Sequence, residues 1–251
     1  MNESTPPPIP APMIPGPSLI PSRTRELGDD PQDVLPIHGV FGAAEAMLRH
    51  PRRIQYHLRQ PDAGRLLLSL LVIAVVCSAV YGLVVGTFSK GDQLWAAPLK
   101  ISLGLLVSGL ICLPSLYIFA CLSGAQVRVV EAAGLVIGLI ALLSVLLVGF
   151  APVAWVFSES TQSLPAMGSL HLAFGLVAVW FGLRFLTSGL VHAHAGAGGI
   201  RVWSFILVIV LLQMTTALRP ILGTASTPLP TEKKFFTSHW SDSFKSETPK
   251  P

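Results

Sequence analysis

Charged residues are scarce in this sequence: Asp, Glu, Lys and Arg make up 12% of its 251 residues, whereas apolar residues make up 51%. About a quarter of the residues of a soluble domain are charged. The composition therefore indicates an integral membrane protein. The net charge is only +4, and the arginines gather beside hydrophobic runs, as membrane topology requires. We predict no nucleic-acid partner.

Groups that could carry chemistry are also few. The three cysteines, Cys77, Cys112 and Cys121, all fall inside predicted membrane spans, which suits neither a disulfide framework nor a metal site. Among the histidines, His171 stands apart, while His192 and His194 flank one residue of a small-residue loop without a carboxylate or cysteine nearby. We predict no metal site, no cofactor and no catalytic residue, and therefore no enzyme.

Charge is missing above all from five long apolar runs. About 20 residues at 1.5 Å per residue cross a hydrocarbon core of about 30 Å. The sequence therefore predicts an all-α, polytopic transmembrane helical bundle of about five spans within residues 65–223. The spans are 66–88, 101–122, 132–157, 170–191 and 202–218. Arg184 is the one charged residue inside them, which disfavours an ion-coupled pump or transporter.

Both ends of the chain are predicted to lie outside this bundle. Residues 1–36 hold ten prolines among polar residues, so we predict a disordered tail with polyproline II character. This tail lacks the features of a cleavable signal peptide. Residues 224–251 form a polar tail in which Phe236, Trp240 and Phe244 recur every four residues. If helical, that tail carries one aromatic stripe for the membrane surface or a partner; the alternative is disorder.

Residues 37–64 read as a basic interfacial helix, broken at Pro51. Apolar residues recur there at helical spacing: Val40, Phe41, Ala44, Met47 and Leu48. Arginines that mark the membrane surface follow: Arg49, Arg52, Arg53, Arg59 and Arg65. These cations satisfy the topology rule, and attraction of anionic lipids is a further role open to them.

The distribution of basic residues predicts an orientation. Eight Lys and Arg residues lie near the span ends on the side of the N-terminus, against five on the other side, which favours a cytoplasmic N-terminus. Asn2 is the only asparagine, and Arg is preferred over Lys. This usage is typical of a GC-rich bacterial genome and places the chain in the inner membrane.

Small residues recur at helix-packing distance within the spans. Gly82 and Gly86, and likewise Gly134 and Gly138, form GxxxG pairs. Such pairs allow the close backbone approach on which helix association in lipid depends. We predict packing within one bundle, with a homo-oligomer face as the alternative. Trp203, at the start of the fifth run, is predicted to be an aromatic-belt residue.

Several short segments carry a resemblance to a known family. They are LRHPRR at 48–53, AVYGLVVG at 79–86, PLK at 98–100, LPSLYI at 113–118 and LRPILG at 218–223. They resemble a group of bacterial membrane proteins related to the Yip domain (Ypt-interacting-protein) family. The residues that carry the resemblance are Tyr81, Lys100, Pro114, Tyr117, Arg219 and Pro220. It implies five spans and a cytoplasmic N-terminus. The eukaryotic family is linked to vesicle trafficking through small GTPases, but no GTPase-binding motif is matched here.

Two functions of different class follow from the sequence. The first is a non-enzymatic integral membrane scaffold, or a subunit of a membrane complex, that organises lipids or partner proteins. The second is a small channel or transporter of neutral or lipid-like solutes. The second is suggested by Gln213 in the fifth span and by the proline-interrupted helices at Pro114 and Pro152, because interrupted helices can line a cavity.

Overall fold

The computed structural model describes residues 26–89, 93–160 and 163–217, and this part of the chain forms eight helices. The two predictions for residues 1–25 and 224–251, together with Phe236, Trp240, Phe244, Arg219 and Pro220, lie outside the described residues. The helices are α1 (Pro31–Val34), α2 (Gly39–Arg49), α3 (Pro51–Leu58), α4 (Gly64–Ser89), α5 (Gln93–Leu122), α6 (Val129–Ser160), α7 (Leu164–His192) and α8 (Ala197–Ala217).

Helices α4 to α8 are each long and apolar enough to cross a membrane, which confirms the predicted all-α bundle of five spans. Helix α5 begins at Gln93, eight residues before the predicted second span, so Lys100 lies inside α5 and not in the preceding link. One lysine does not end a helix, because its long side chain can place the ammonium away from the apolar surface. A window that stops at the first charge therefore starts this span late.

Helix α6 is the central element of the bundle. Its residues from Gly138 to Ser144 are all buried, on every side of the helix, which is the pattern of a helix enclosed by others. Helices α4 and α7 pack on α6 from two sides, and α5 packs on both α4 and α6. Helix α8 packs mainly on α5, at the edge of the bundle.

Glycines lie where the helices approach each other most closely. A Cβ at Gly82 would overlap the backbone of Pro98 in α5. A Cβ at Gly134 would meet Leu58 and Leu67, and one at Gly138 would meet the ring of Phe185. Gly86 is buried as well. In the described part of the chain, Gly82, Gly134 and Gly138 therefore lie at contacts between elements of the same molecule.

The segment before the first span forms two helices that meet at Pro51, the position of the predicted break. Pro51 opens α3 at a position where its missing N–H costs nothing. Helix α2 buries Met47 but leaves Phe41 and Leu48 exposed, so the predicted apolar stripe is divided between two faces. Helix α3 buries Ile54, Gln55 and Leu58. Helix α3 therefore covers one end of the bundle, which we call the surface-helix end.

Residues 26–36, which the sequence assigns to the disordered tail, are folded back onto α3. Asp30 caps the single turn of α1 by accepting a hydrogen bond from the Gln32 backbone N–H. The carboxylate of Asp33, which is buried, lies 3.4 Å from Arg52 Nε. A proline-rich composition does not reveal this pairing, because it depends on a cation that follows 19 residues later in the chain.

Trp203 corrects another prediction: it is fully buried and is not an aromatic-belt residue. Its indole N–H donates to the Cys112 carbonyl at 3.0 Å and lies 3.2 Å from Ser115 Oγ. An indole needs a partner for this N–H when it is buried. Here the partner is the neighbouring helix, so Trp203 attaches α8 to α5.

Candidate functional site

The predicted membrane-surface arginines divide into two groups. Arg52 donates to the Glu26 carbonyl at 2.9 Å, and Arg53 donates to the carbonyls of Leu35 and Pro36. These two side chains hold the 26–36 segment on α3. Arg49, which pairs with Glu45 at 3.6 Å, is exposed, as is Arg65, and Arg59 is half-buried.

A second set of polar contacts fixes α3 on the bundle. The Gln55 amide donates to the Phe185 carbonyl of α7 at 2.9 Å. Arg128 donates to the Arg59 carbonyl at 2.8 Å and to Glu131 at 2.7 Å. A small cleft beside these residues is large enough for a single water molecule. These contacts make the surface helices part of the membrane domain, although they are not long enough to span it.

The residues that carry the family resemblance do not form one site. Tyr81 and Lys100 lie in the half of the bundle away from the surface-helix end, and both are buried. Pro114 is exposed and Tyr117 half-buried, in the part of α5 near the surface-helix end. Helix α5 continues through Pro114, as α6 continues through the exposed Pro152. These two prolines therefore line no interior cavity.

A tyrosine and a histidine meet inside the bundle. Tyr81 Oη of α4 lies 2.6 Å from His171 Nδ1 of α7, and the two rings meet edge to face with their centres 5.6 Å apart. Tyr81 is 4% exposed. Tyr81 lies about 12 Å from the end of α4 and His171 about 10 Å from the start of α7, at 1.5 Å per residue. Both belong to the half of the bundle away from the surface helices.

The surroundings of this pair are apolar. Tyr81 packs with Leu143, Leu147 and Ala151 of α6, and Phe174, one turn after His171, stacks on Phe150 at 4.7 Å. Helices α4 and α7 both pack on α6 and contact each other little. The Tyr81–His171 hydrogen bond therefore bridges two helices that are otherwise joined through α6.

One nitrogen of this pair is left without a partner. His171 Nε2 is buried and has no hydrogen-bond partner within residues 26–89, 93–160 and 163–217. An unsatisfied buried donor or acceptor costs about 1–3 kcal/mol. A buried nitrogen without a partner inside a membrane domain is therefore a candidate for binding a ligand.

Sequence reasoning missed this pair. Tyr81 was selected for its resemblance and His171 only as a metal candidate, and 90 residues separate them. The sequence does place both residues on the same side of the membrane, Tyr81 in the last third of the predicted span 66–88 and His171 at the start of the predicted span 170–191, but it does not indicate that they meet. The other two histidines that the sequence analysis weighed as metal ligands lie elsewhere. His192 forms a hydrogen bond with the Ser188 carbonyl of its own helix, and His194 is exposed.

The described residues bring together no group of three or more His, Cys, Asp or Glu side chains that could hold a metal ion. The described polar contacts form two groups. Gln55 and Arg128 attach α3 at the surface-helix end, and Tyr81 and His171 pair in the opposite half of the bundle. Comparison of the chain with known protein families, curated proteins and solved structures found no match.

Proposed function

We propose that this multi-pass membrane protein is a non-enzymatic scaffold that presents a fixed platform of surface helices to partner proteins. The observation that carries the proposal is the attachment of α1, α2 and α3 to the bundle while α2 keeps an apolar side exposed. A free amphipathic helix would need no such attachment to lie on a membrane.

The platform is held by hydrogen bonds from several independent elements. Gln55 binds α7, Arg128 binds the end of α3, and Arg52 and Arg53 bind the 26–36 segment. Each hydrogen bond contributes about 1 kcal/mol, and those made by charged groups contribute more. Together with the burial of Ile54 and Leu58, they order the platform before any partner binds, which lowers the entropic cost of binding.

The outward side of α2 combines apolar and charged groups. Phe41 is 92% exposed, Leu48 is 55% exposed, and Arg49 and Glu45 lie beside them. An exposed aromatic ring on an ordered helix is typical of an anchor residue in a protein interface. Arg49 and Arg65 face the predicted cytoplasmic leaflet, where they also attract anionic lipid headgroups by about 1 kcal/mol each.

The resemblance to Yip-related proteins belongs to this proposal. It supports a five-span membrane domain of bacterial inner-membrane type with its N-terminus in the cytoplasm. It contributes no partner identity, because no GTPase-binding motif is matched.

A site-specific photo-crosslinker tests the scaffold. The full-length protein would carry the crosslinking amino acid at Phe41 or, as a matched control, at Leu176, which lies exposed on a membrane span. In native membranes, position 41 is expected to yield reproducible protein adducts and position 176 lipid adducts. Equal yields of lipid adducts at both positions, with no protein adduct at 41, would refute the proposal.

The tails supply a second comparison. Protein adducts at position 41 are expected to persist in a chain lacking residues 1–25, because α1 begins after them. If the adducts disappear with that deletion, the partner is held by the proline-rich tail and the platform is not the binding surface.

The second candidate is a small channel or transporter of neutral or lipid-like solutes, and it draws on the unpartnered nitrogen of His171. Its test is flux of a panel of neutral solutes into vesicles that contain the purified protein. Loss of flux in His171→Gln but not in Arg184→Gln would favour it, because Arg184 lies exposed on the outside of α7. The absence of flux for every solute would exclude it for that panel.

A further inference from the structure

The hydrogen bond between Tyr81 and His171 has two possible directions, and they leave different groups unsatisfied. If the Tyr81 hydroxyl donates to Nδ1, the imidazole proton is on Nε2, and one donor lacks a partner. If Nδ1–H donates to the tyrosine oxygen, both the hydroxyl proton and the Nε2 lone pair lack partners. The first arrangement leaves fewer buried groups unsatisfied. A ligand that pairs with this nitrogen must therefore offer a hydrogen-bond acceptor to the Nε2–H.

The position of His171 in the membrane limits what this acceptor can be. Helix α7 has 29 residues, or about 43 Å, so a centred, upright α7 projects about 6 Å beyond each side of a core of about 30 Å. His171, about 10 Å from the start of α7, then lies about 4 Å inside the hydrocarbon boundary. Phospholipid ester carbonyls lie close to this boundary, whereas water becomes scarce there.

Within the plane of the membrane, the Tyr81–His171 pair also lies close to the surrounding lipid. Helix α7 buries little of its apolar surface against the rest of the protein. His171 as a residue is partly exposed, although its Nε2 atom is covered. For a lipid carbonyl to reach this nitrogen, the side chains that cover it must move, and rotamer changes at a binding surface are common.

We propose that His171 is a lipid-binding residue whose Nε2–H donates a hydrogen bond to the acyl-ester carbonyl of a membrane lipid, with Tyr81 as the residue that fixes the imidazole tautomer. The ligand class is a diacyl lipid of the leaflet away from the surface helices. The site does not depend on the scaffold function, because Phe41 and His171 lie in opposite halves of the molecule.

The test compares two lipids that differ only in the carbonyl. Full-length protein with ¹⁵N-labelled histidine would be reconstituted in diphytanoyl phosphatidylcholine carrying ¹³C at its ester carbonyls, or in its diether analogue. Solid-state NMR in the ester lipid is expected to show a ¹⁵Nε2–¹³C dipolar contact. The Nε2–H proton resonance is expected to lie downfield of its position in the ether lipid.

Variants assign the contact and provide the control. His171→Gln should abolish it, and Tyr81→Phe, which keeps the imidazole but frees its tautomer, should reduce it by at least half. His192→Gln, in the same helix but bonded to its own backbone, should leave it unchanged. If His171→Gln does not fold, the comparison of the two lipids with Tyr81→Phe and with the wild type still decides the question.

Two results would overturn the proposal. In the first, the His171 resonances are identical in ester and ether lipid, which means that no carbonyl reaches Nε2. In the second, polarisation reaches Nε2 from water protons and no lipid carbonyl contact is detected, which means that a buried water supplies the acceptor.

Discussion

The side-chain amide of Gln55 in α3 donates a hydrogen bond of 2.9 Å to the backbone carbonyl of Phe185 in α7, and Gln55 is only 3% exposed. A short helix outside the spans is thereby attached to a residue 130 positions later in the chain. The carbonyl oxygen of the same amide has no partner among the described residues. Gln55 therefore contributes one donated hydrogen bond to the attachment of α3, in addition to the one that Arg128 donates to the Arg59 carbonyl.

Substitutions of Gln55 should separate hydrogen bonding from burial of charge. Gln55→Met loses the donor but also removes the unpartnered oxygen, so we expect a cost of about 1 kcal/mol or less. Gln55→Glu places a carboxylate against the Phe185 carbonyl in a buried position and should cost about 3 kcal/mol or more at pH 7. Thermal unfolding in detergent, followed by circular dichroism, measures both. Gln32→Glu, at an exposed position of α1, is the control. Equal melting temperatures of Gln55→Glu and Gln32→Glu would contradict the prediction.

Gly82 and Gly175 should respond to alanine in opposite ways. A Cβ at Gly82 would overlap the Pro98 backbone, which cannot move aside as a side chain can, whereas a Cβ at Gly175 meets nothing within 4 Å. Gly82→Ala should therefore destabilise the protein by about 1–3 kcal/mol, and Gly175→Ala should be neutral or stabilising by up to about 1 kcal/mol. The measurement is the free energy of unfolding in mixed micelles. A harmless Gly82→Ala would show that α4 and α5 do not approach as closely as described.

Trp203 should control access to Cys112. Trp203→Ala removes a fully buried side chain, at a cost of about 3–5 kcal/mol, and should free α8 from α5. In a Cys77→Ser, Cys121→Ser background, we expect N-ethylmaleimide to label Cys112 roughly a hundred times faster. This follows because the lost free energy makes local separation of α8 from α5 more frequent. Trp203→Phe keeps most of the packing and should have a smaller effect. Trp180→Ala, at a residue 67% exposed on α7, should leave the labelling rate unchanged, and equal rates in Trp203→Ala and Trp180→Ala would refute the assignment.

Asp33 should hold the 26–36 segment in place. Its buried carboxylate faces the partly exposed Arg52 and lies 3.4 Å from the Gly28 backbone N–H, so Asp33→Ala removes an ion pair and a hydrogen bond together. Asp33→Ala should speed hydrogen exchange in residues 26–36 about tenfold or more, without affecting α4 or α6. Glu45→Ala, which loses only an exposed pair with Arg49, should change exchange little. Unchanged exchange in Asp33→Ala would mean that the hydrogen bonds from Arg52 and Arg53 to the backbone carbonyls of the segment suffice to hold it.

The sequence predicted the spans well because crossing a bilayer is a local requirement. Any window of about 20 apolar residues meets it. Four of the five predicted runs lie wholly within helices of the structure, and the fifth, 202–218, lies within α8 as far as Ala217, where the described residues end. The errors occurred at positions with a single polar or charged residue, such as Lys100 in α5. The Pro-rich composition before residue 36 likewise concealed the helical turn of α1.

Lateral contacts could not be predicted in the same way. Inside lipid there is no hydrophobic driving force between helices, so their arrangement depends on shape and on individual hydrogen bonds. The partners in those bonds are far apart in sequence: Tyr81 and His171 are separated by 90 residues, and Trp203 and Cys112 by 91. Neither composition nor periodicity within one helix indicates such a pairing.

The sequence by itself determined that this chain is a helical membrane protein of five spans, because hydrocarbon selects for length and apolarity one segment at a time. Only the tertiary structure decided that α6 is central, that α3 is attached to the bundle through Gln55, and that Tyr81 and His171 meet beside α6. Those features arise from the mutual fit of helices that contact one another only after each has formed.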